Sequence, residues 1–318
     1  MANQKQNLTS ELTTGFGERS NQSGGRFYRK DGKVNVVRKG VGFFDRLSWY
    51  HTMLELPRWK FWLILLMTYI VVNCLFAFVY FGIGVEHLDG IEKGKPLYNY
   101  IQAFFFSAQT FTTVGYGHVS PSGLTTSAVA TFEAFLGVLT LALASGLFYG
   151  RFSMPRSFLK FSDKALIAPY KDGTALMFRM APYKNNHLMD AEVKMTIGLR
   201  QEDKNRFYTL NVEFSKINSL VLNWTVVHPI TEESPLYGMN LEDIKQSRAE
   251  ILVYIKAFDE GFANTVVARS SYAAEDIVEG ARFLPMYGPA PAGNYTILDL
   301  GRLNAYEKVQ LPVSVRQA

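Results

Sequence analysis

The chain has a single cysteine, Cys74, so no disulfide can close within one copy of it. Cys74 lies inside an apolar run, where helix packing is its expected role. Five histidines are scattered without the spacing of a metal site. No internal repeat is visible. No nucleophile–base pair and no paired carboxylates stand out after Asp163, which argues against an enzyme and gives no reason to expect a cofactor. Charge is also missing from two long segments. Phe61 to Gly84 contains no charged residue, and Leu124 to Gly150 contains only Glu133. Each run is long enough to cross a hydrocarbon core as a helix. Neither carries the repeated arginine of a voltage sensor, so a voltage-gated channel is not expected.

With 318 residues there is room for about two domains. The first apolar run is too long for the core of a signal peptide, and a polar, basic segment precedes it. That segment holds Arg26, Arg29, Lys30, Lys33, Arg38, Lys39, Arg46, Arg58 and Lys60, whereas only Lys93 and Lys95 lie between the runs. Arg151, Arg156 and Lys160 follow the second run. The bias of basic residues places both termini in the cytoplasm. A net charge of +5 needs no nucleic-acid partner, since membrane flanks and solvation account for it.

Residues 1–42 are rich in Asn, Gln, Ser, Gly, Lys and Arg and read as a disordered cytoplasmic tail, with Gly24-Gly25 as linker. Residues 43–57 read as an amphipathic helix lying in the membrane interface. Phe43, Phe44, Leu47, Trp49, Tyr50, Met53, Leu54 and Leu56 alternate there with Asp45, Arg46, His51 and Glu55, and Pro57 breaks the helix. A transmembrane domain is expected over 58–152, with spans 61–84 and 124–150. Between the spans, Tyr98 to Phe111 is aromatic and too short to cross, which fits a re-entrant helix. It leads into Thr113-Val114-Gly115-Tyr116-Gly117.

Those five residues have the composition of a K⁺ selectivity filter, in which backbone carbonyls replace the water shell of the ion. Glycine reaches backbone conformations that let successive carbonyls face one way. An ordinary Gly-rich turn has the same composition. The re-entrant context favours the filter, because irregular backbone at membrane depth must be covered by protein or line a water-filled path. In the second span, Val138, Leu141, Ser145 and Tyr149 share one helix face and are candidate pore-lining residues. Gly137 and Gly146 read as flex points or as sites of close helix packing. Glu133, the one intramembrane acid, is expected to hydrogen-bond structurally rather than to contact ions, because Val138 and Leu141 better fit the lining.

After a linker at 153–160, residues 161–318 change character. Short apolar runs, including 175–180, 193–199, 220–227, 251–257 and 295–298, alternate with turn signals such as Lys171-Asp172-Gly173. This is the pattern of an antiparallel, immunoglobulin-like β-sandwich.

The filter, its spans and several ordered motifs resemble the inward-rectifier potassium channel family, in its prokaryotic branch, over about Phe43 to Leu303. The motifs are Arg58-Trp59-Lys60, Arg151-Phe152 with Pro155, and His228-Pro229-Ile230. They continue with Glu233-Ser234-Pro235-Leu236-Tyr237, Glu260-Gly261-Phe262-Ala263-Asn264-Thr265 and Arg269-Ser270-Ser271-Tyr272. The resemblance implies a homotetramer, a passive K⁺ channel of a bacterial inner membrane with K⁺ held only in the filter, and cytoplasmic β-domains that extend the pore. It implies a gate at Tyr149, which otherwise reads as an interfacial-belt tyrosine. A second constriction is implied at Gly261, Phe262, Ala263 and Asn264. Asp190 and Glu260 match acids of the cytoplasmic pore that attract Mg²⁺ or polyamines; each alone reads as a solvated charge.

Arg58, Trp59, Lys60, Arg151, Arg156 and Lys184 match positions near the family's site for anionic lipids, phosphoinositides among them, while topology anchoring explains the same basic residues. The resemblance leaves the sign of the lipid effect open. Ba²⁺ is an expected blocker. Leu141 stands where strong rectifiers carry an acid, which implies weak rectification. Gln109 and Val119 replace a Glu–Arg pair behind the filter, so its support must come from elsewhere. A poorly selective cation channel and a membrane-anchored binding or sensor module with a non-conducting pore are the alternative functions.

Overall fold

The computed structural model describes residues 26–29, 32–37, 39–40, 42, 48–201, 204–289 and 294–312. The chain forms two compact units, one of Lys39–Met154 and one of Met1–Arg38 with Pro155–Ala318.

The first unit is helical. Helix α1 (Trp49–Glu55) is followed by Pro57, whose ring fixes φ at −53° at the start of α2 (Arg58–Ile83). The amphipathic segment was expected over 43–57; residues 43–47 lie outside the described residues, and the described helix is confined to its second half. Gly84, at φ 115°, ends α2 in a conformation that strains any other residue. Pro96 opens α3 (Pro96–Phe111), where its missing N–H costs nothing. Helix α4 spans Leu124–Phe152. A short antiparallel pairing, Leu88 with Pro121 and Asp89 with Ser120, ties the ends of the two long helices together.

Helices α2 and α4 are long and apolar enough to cross a membrane. Spacings of four and three put Asn73, Ala77 and Tyr80 on one buried face of α2. Ala77 and Tyr80 pack with Ala103 and Phe106 of α3 and Ala130 of α4. The opposite face leaves Leu75 and Phe78 exposed, as suits contact with lipid.

The second unit is a β-sandwich. One sheet contains β1 (Leu159–Phe161), β2 (Ala165–Tyr170), β3 (Gly173–Pro182), β7 (Trp224–Pro229) and β10 (Ile277–Glu279). The other contains β4 (Leu188–Gln201), β5 (Lys204–Leu210), β6 (Lys216–Leu220), β8 (Glu250–Asp259) and β9 (Asn264–Ala273). All pairings are antiparallel except β2 with β10. Phe178 and Met180 from the first sheet meet Met195, Ile197 and Ile251 from the second in one buried core. Lys171, at φ 49°, makes the β2–β3 turn. The apolar run 220–227 is not one strand: residues 221–223 turn between β6 and β7. The linker expected over 153–160 ends earlier, because β1 begins at Leu159 and pairs with Pro182.

Two further anchorages shape this unit. Residues 26–37 fall within the tail expected to be disordered, yet Phe27 is buried against Phe207 and Leu252. The Phe27 and Tyr28 amides donate to the Glu250 carboxylate at 2.8 and 3.2 Å, and Ser271 Oγ donates to the Tyr28 carbonyl at 2.9 Å. Two aromatic side chains in a polar segment are enough to seat it; residues 1–25, Gly24 and Gly25 included, lie outside the described residues. Burial pushes the Glu250 carboxyl up, and the two donated amides hold it back. Arg179 is fully buried, with no carboxylate against it among the described residues. Its guanidinium donates to the Leu284 carbonyl at 2.8 Å and the Ala305 carbonyl at 3.4 Å, and lies 4.2 Å from the Phe283 ring. Burial lowers its pKa to about 10, with Arg302 as a smaller cause.

Candidate functional site

The loop after α3 alternates in backbone hand. Thr113, Gly115 and Gly117 have φ of 59°, 50° and 79°, and the intervening Val114 and Tyr116 are not in the positive-φ region. Alternating left- and right-handed residues turn successive peptide planes so that their carbonyls face one side. A row of such carbonyls is a cation ladder. Glycine adopts these angles freely; Thr113 does so at a strain cost and is held by its amide, which donates to the Thr110 carbonyl at 3.0 Å. The Gln109 carbonyl accepts from both the Val114 amide at 3.0 Å and the Gly115 amide at 3.3 Å. Thr112 Oγ1 donates to the Ala108 carbonyl at 2.7 Å. The loop is therefore hung from the last turn of α3.

Among the described residues, little covers the loop. Val114 is 54% exposed and Tyr116 79%. A Cβ added to Gly115 or Gly117 would meet no described atom of its own chain within 4 Å, while both positions have the positive φ that favours glycine. Val138 and Ser145 are exposed along α4, as are Leu141 at 65% and Tyr149 at 76%.

Behind the loop, three helices close on a polar cluster. Asn73, Tyr80, Ser107 and Glu133 are all fully buried. Tyr80 OH donates to Glu133 Oε2 at 2.6 Å, and Ser107 Oγ contacts both Glu133 Oε1 and Asn73 Oδ1, the latter at 3.0 Å. The sequence marked Glu133; it did not single out its three partners, although Asn73 is one of few polar residues in its span. Gly137 of α4 lies against the end of α3, where an added Cβ would overlap the Phe111 carbonyl oxygen. Of the two readings of Gly137, close packing is the one this geometry carries. Around Gly146 an added Cβ would meet nothing within 4 Å.

The six basic and aromatic residues matched to a lipid site fall in two groups. In the helical unit, Arg58, Trp59 and Lys60 are exposed at the start of α2, with Lys60 Nζ 5.4 Å from the Trp59 ring centroid. Arg151 is engaged internally. It donates to the Met53 carbonyl at 3.0 Å and to the Leu56 carbonyl, and its guanidinium lies 4.8 Å from the Phe61 ring. It thereby caps the C-terminal end of α1. In the β-unit, Arg156 is exposed and Lys184 Nζ lies 4.4 Å from the Phe158 ring.

The Gly261–Asn264 segment joins β8 to β9. Asp259 Oδ1 accepts from the Phe262 amide at 3.1 Å, and the Glu260 carbonyl accepts from the Ala263 amide at 3.2 Å. Ala263 has φ 47°. Buried Asp259 thus shapes the loop, a role that only the fold reveals. Asp190 sits at a bulge where Asp190 and Ala191 oppose Ala257, with φ 48°, and its Oδ1 lies 3.0 Å from Lys216 Nζ. Glu260 Oε2 lies 3.8 Å from His187 Nδ1.

Residues 159–318 match the family described as inward rectifier potassium channel C-terminal domain, and residues 61–152 match the family described as ion channel. The chain is 33% identical to the inward rectifier potassium channel Kirbac3.1 of Paramagnetospirillum magnetotacticum over 288 residues, 88% of this chain and 95% of that one. It is 30% identical to the G protein-activated inward rectifier potassium channel 4 of Bos taurus, over 82% of this chain and 68% of that one. It is 28% identical to the G protein-activated inward rectifier potassium channel 2 of Pongo abelii, over 82% and 67%. With an ion-channel pore region and a matched C-terminal domain in sequence, the chain belongs to the inward rectifier potassium channel family.

Proposed function

We infer that four copies of this chain surround one pore and conduct K⁺ passively through a filter formed by Thr113 to Gly117. The alternating backbone hand at Thr113, Gly115 and Gly117 carries this reading. One such strand presents carbonyls on one side only, and a cyclic assembly of four closes them around an ion. The exposed Val114, Tyr116, Leu141 and Tyr149 are the surfaces that neighbouring copies and the pore would occupy. Tyr149 narrows the inner end of the pore by closing a ring of aromatic side chains, and Gly261 to Asn264 form a separate constriction. Leu141 makes that part of the pore apolar, so Mg²⁺ and polyamines block weakly there. Asp190 and Glu260 attract cations, with Lys216 moderating Asp190.

Anionic lipids bind at Arg58, Trp59 and Lys60 and, separately, at Arg156 and Lys184, and regulate opening. Arg151 contributes by holding α1 in place. The protein sits in a bacterial inner membrane with both termini in the cytoplasm. The test is tracer flux into liposomes holding the purified protein, titrated with anionic lipid. Rb⁺ uptake that excludes Na⁺, is blocked by Ba²⁺ and changes with lipid content supports the reading. Equal Na⁺ uptake points to a poorly selective channel, and no uptake under any lipid condition points to a sensor with a closed pore.

A further inference from the structure

The cluster behind the filter poses a problem of proton count. Asn73 Nδ2 donates to the Tyr69 carbonyl at 2.7 Å, which fixes the amide so that Oδ1 faces Ser107. Asn73 Oδ1 can only accept. Ser107 has one proton, and two acceptors lie within reach of its oxygen: Asn73 Oδ1 and Glu133 Oε1. Were Glu133 ionised, one of the two oxygen pairs would face without a proton between them, inside a fully buried site. No cationic side chain on the three helices that enclose the site offsets a charge there. Phe61 to Gly84, Pro96 to Phe111 and Leu124 to Gly150 contain no Lys, Arg or His, and Tyr80 is the titratable group in contact with the carboxyl.

We propose that Glu133 is a neutral carboxylic acid that donates its proton to Ser107 and so positions the filter. Every polar atom then finds a partner in one directed chain. Tyr80 OH donates to Glu133 Oε2, Glu133 Oε1–H to Ser107 Oγ, Ser107 O–H to Asn73 Oδ1, and Asn73 Nδ2–H to the Tyr69 carbonyl. The chain runs from α2 to α4 to α3 and back to α2. It grips α3 at Ser107, two residues before Gln109, whose carbonyl holds the Val114 and Gly115 amides. Glu133 is thus a positioning residue acting through α3. The protonation state stands on the hydrogen-bond count alone; the positioning half rests on the filter reading above.

Infrared spectroscopy of the reconstituted full-length protein at neutral pH tests the protonation state, using glutamate isotope-labelled at its side-chain carboxyl. Surface carboxylates are ionised under these conditions. A protonated-acid carbonyl band that moves with the label, and is absent from Glu133→Gln, is the expected result. A label that moves only carboxylate bands overturns the proposal, and this outcome needs no variant to fold. Flux tests the positioning. Gln can donate to Ser107 and accept from Tyr80, so Glu133→Gln should keep K⁺-over-Na⁺ selectivity within about twofold, whereas Ser107→Ala should reduce it at least about tenfold. Equal selectivity in wild type, Glu133→Gln and Ser107→Ala overturns the positioning role, whatever the infrared result.

Discussion

Gly137 of the inner span lies so close to the carbonyl oxygen of Phe111, the last residue of the pore helix, that no Cβ fits between them. The close approach fixes where α3 ends, and the filter loop starts two residues later. Gly137→Ala must push the pore helix away, a kind of overpacking that costs about 1–3 kcal/mol. It should lower the thermal midpoint of the assembled protein and reduce K⁺-selective flux. Gly146→Ala, whose added Cβ meets no described atom of its own chain, should cost less than Gly137→Ala. Equal tolerance of both substitutions would remove the packing argument.

Leu141 should decide the strength of rectification. If Leu141 lines the proposed pore, an acid there places a ring of carboxylates in an apolar stretch. Leu141→Glu should convert weak, shallow spermine block into strong voltage-dependent block in bilayer recordings, with affinity rising at least about tenfold. Strong block of the wild-type protein would contradict the weak-rectification reading.

Arg151 should behave as a structural clamp. Lysine cannot reproduce a guanidinium that serves two carbonyls and stacks on a ring. Arg151→Lys should loosen α1, seen as faster hydrogen exchange across Trp49–Glu55 in lipid-free detergent. Lys60→Gln should leave that exchange unchanged and weaken only binding to anionic vesicles. Unchanged exchange in Arg151→Lys would return Arg151 to a simple head-group role.

The β-sandwich should weaken on acidification. Buried His228 donates from Nδ1 to the Asn211 carbonyl at 2.6 Å and accepts at Nε2 from Ser234 at 2.8 Å. Burial holds its pKa below the usual histidine range, partly offset by the Asn211 carbonyl. A group depressed in this way binds fewer protons folded than unfolded. Its contribution is fully present above the unfolded value of about 6.5 and is lost as pH falls toward the folded value. Thermal melts from neutral to mildly acidic pH should therefore show a steeper loss in wild type than in His228→Gln. Parallel curves would contradict it.

The two membrane-length helices and the positive-φ glycines of the loop after α3 were legible because their signals are local: an uninterrupted apolar run and a glycine-rich pentamer. The β2–β3 hairpin was legible from Lys171-Asp172-Gly173 for the same reason. What stayed hidden joins distant residues. Ser107 and Glu133 are 26 positions apart and Tyr80 and Glu133 are 53, so no periodicity links them. Phe27 and Glu250 are separated by 223 positions, which is why a polar segment read as tail proved to be docked. Residues 221–223 broke an apolar run without glycine or proline, and Asn223 was the lone turn-favouring residue to mark it.

The central claim is that the alternating backbone of Thr113 to Gly117 makes a K⁺-selective pore. The most direct measurement is the reversal potential of the purified protein in a planar bilayer with K⁺ on one side and Na⁺ on the other. A potential close to the K⁺ limit, abolished by Ba²⁺ and collapsing toward zero in Gly115→Ala, is the predicted result. A wild-type potential near zero, with current carried equally by both ions, would contradict it.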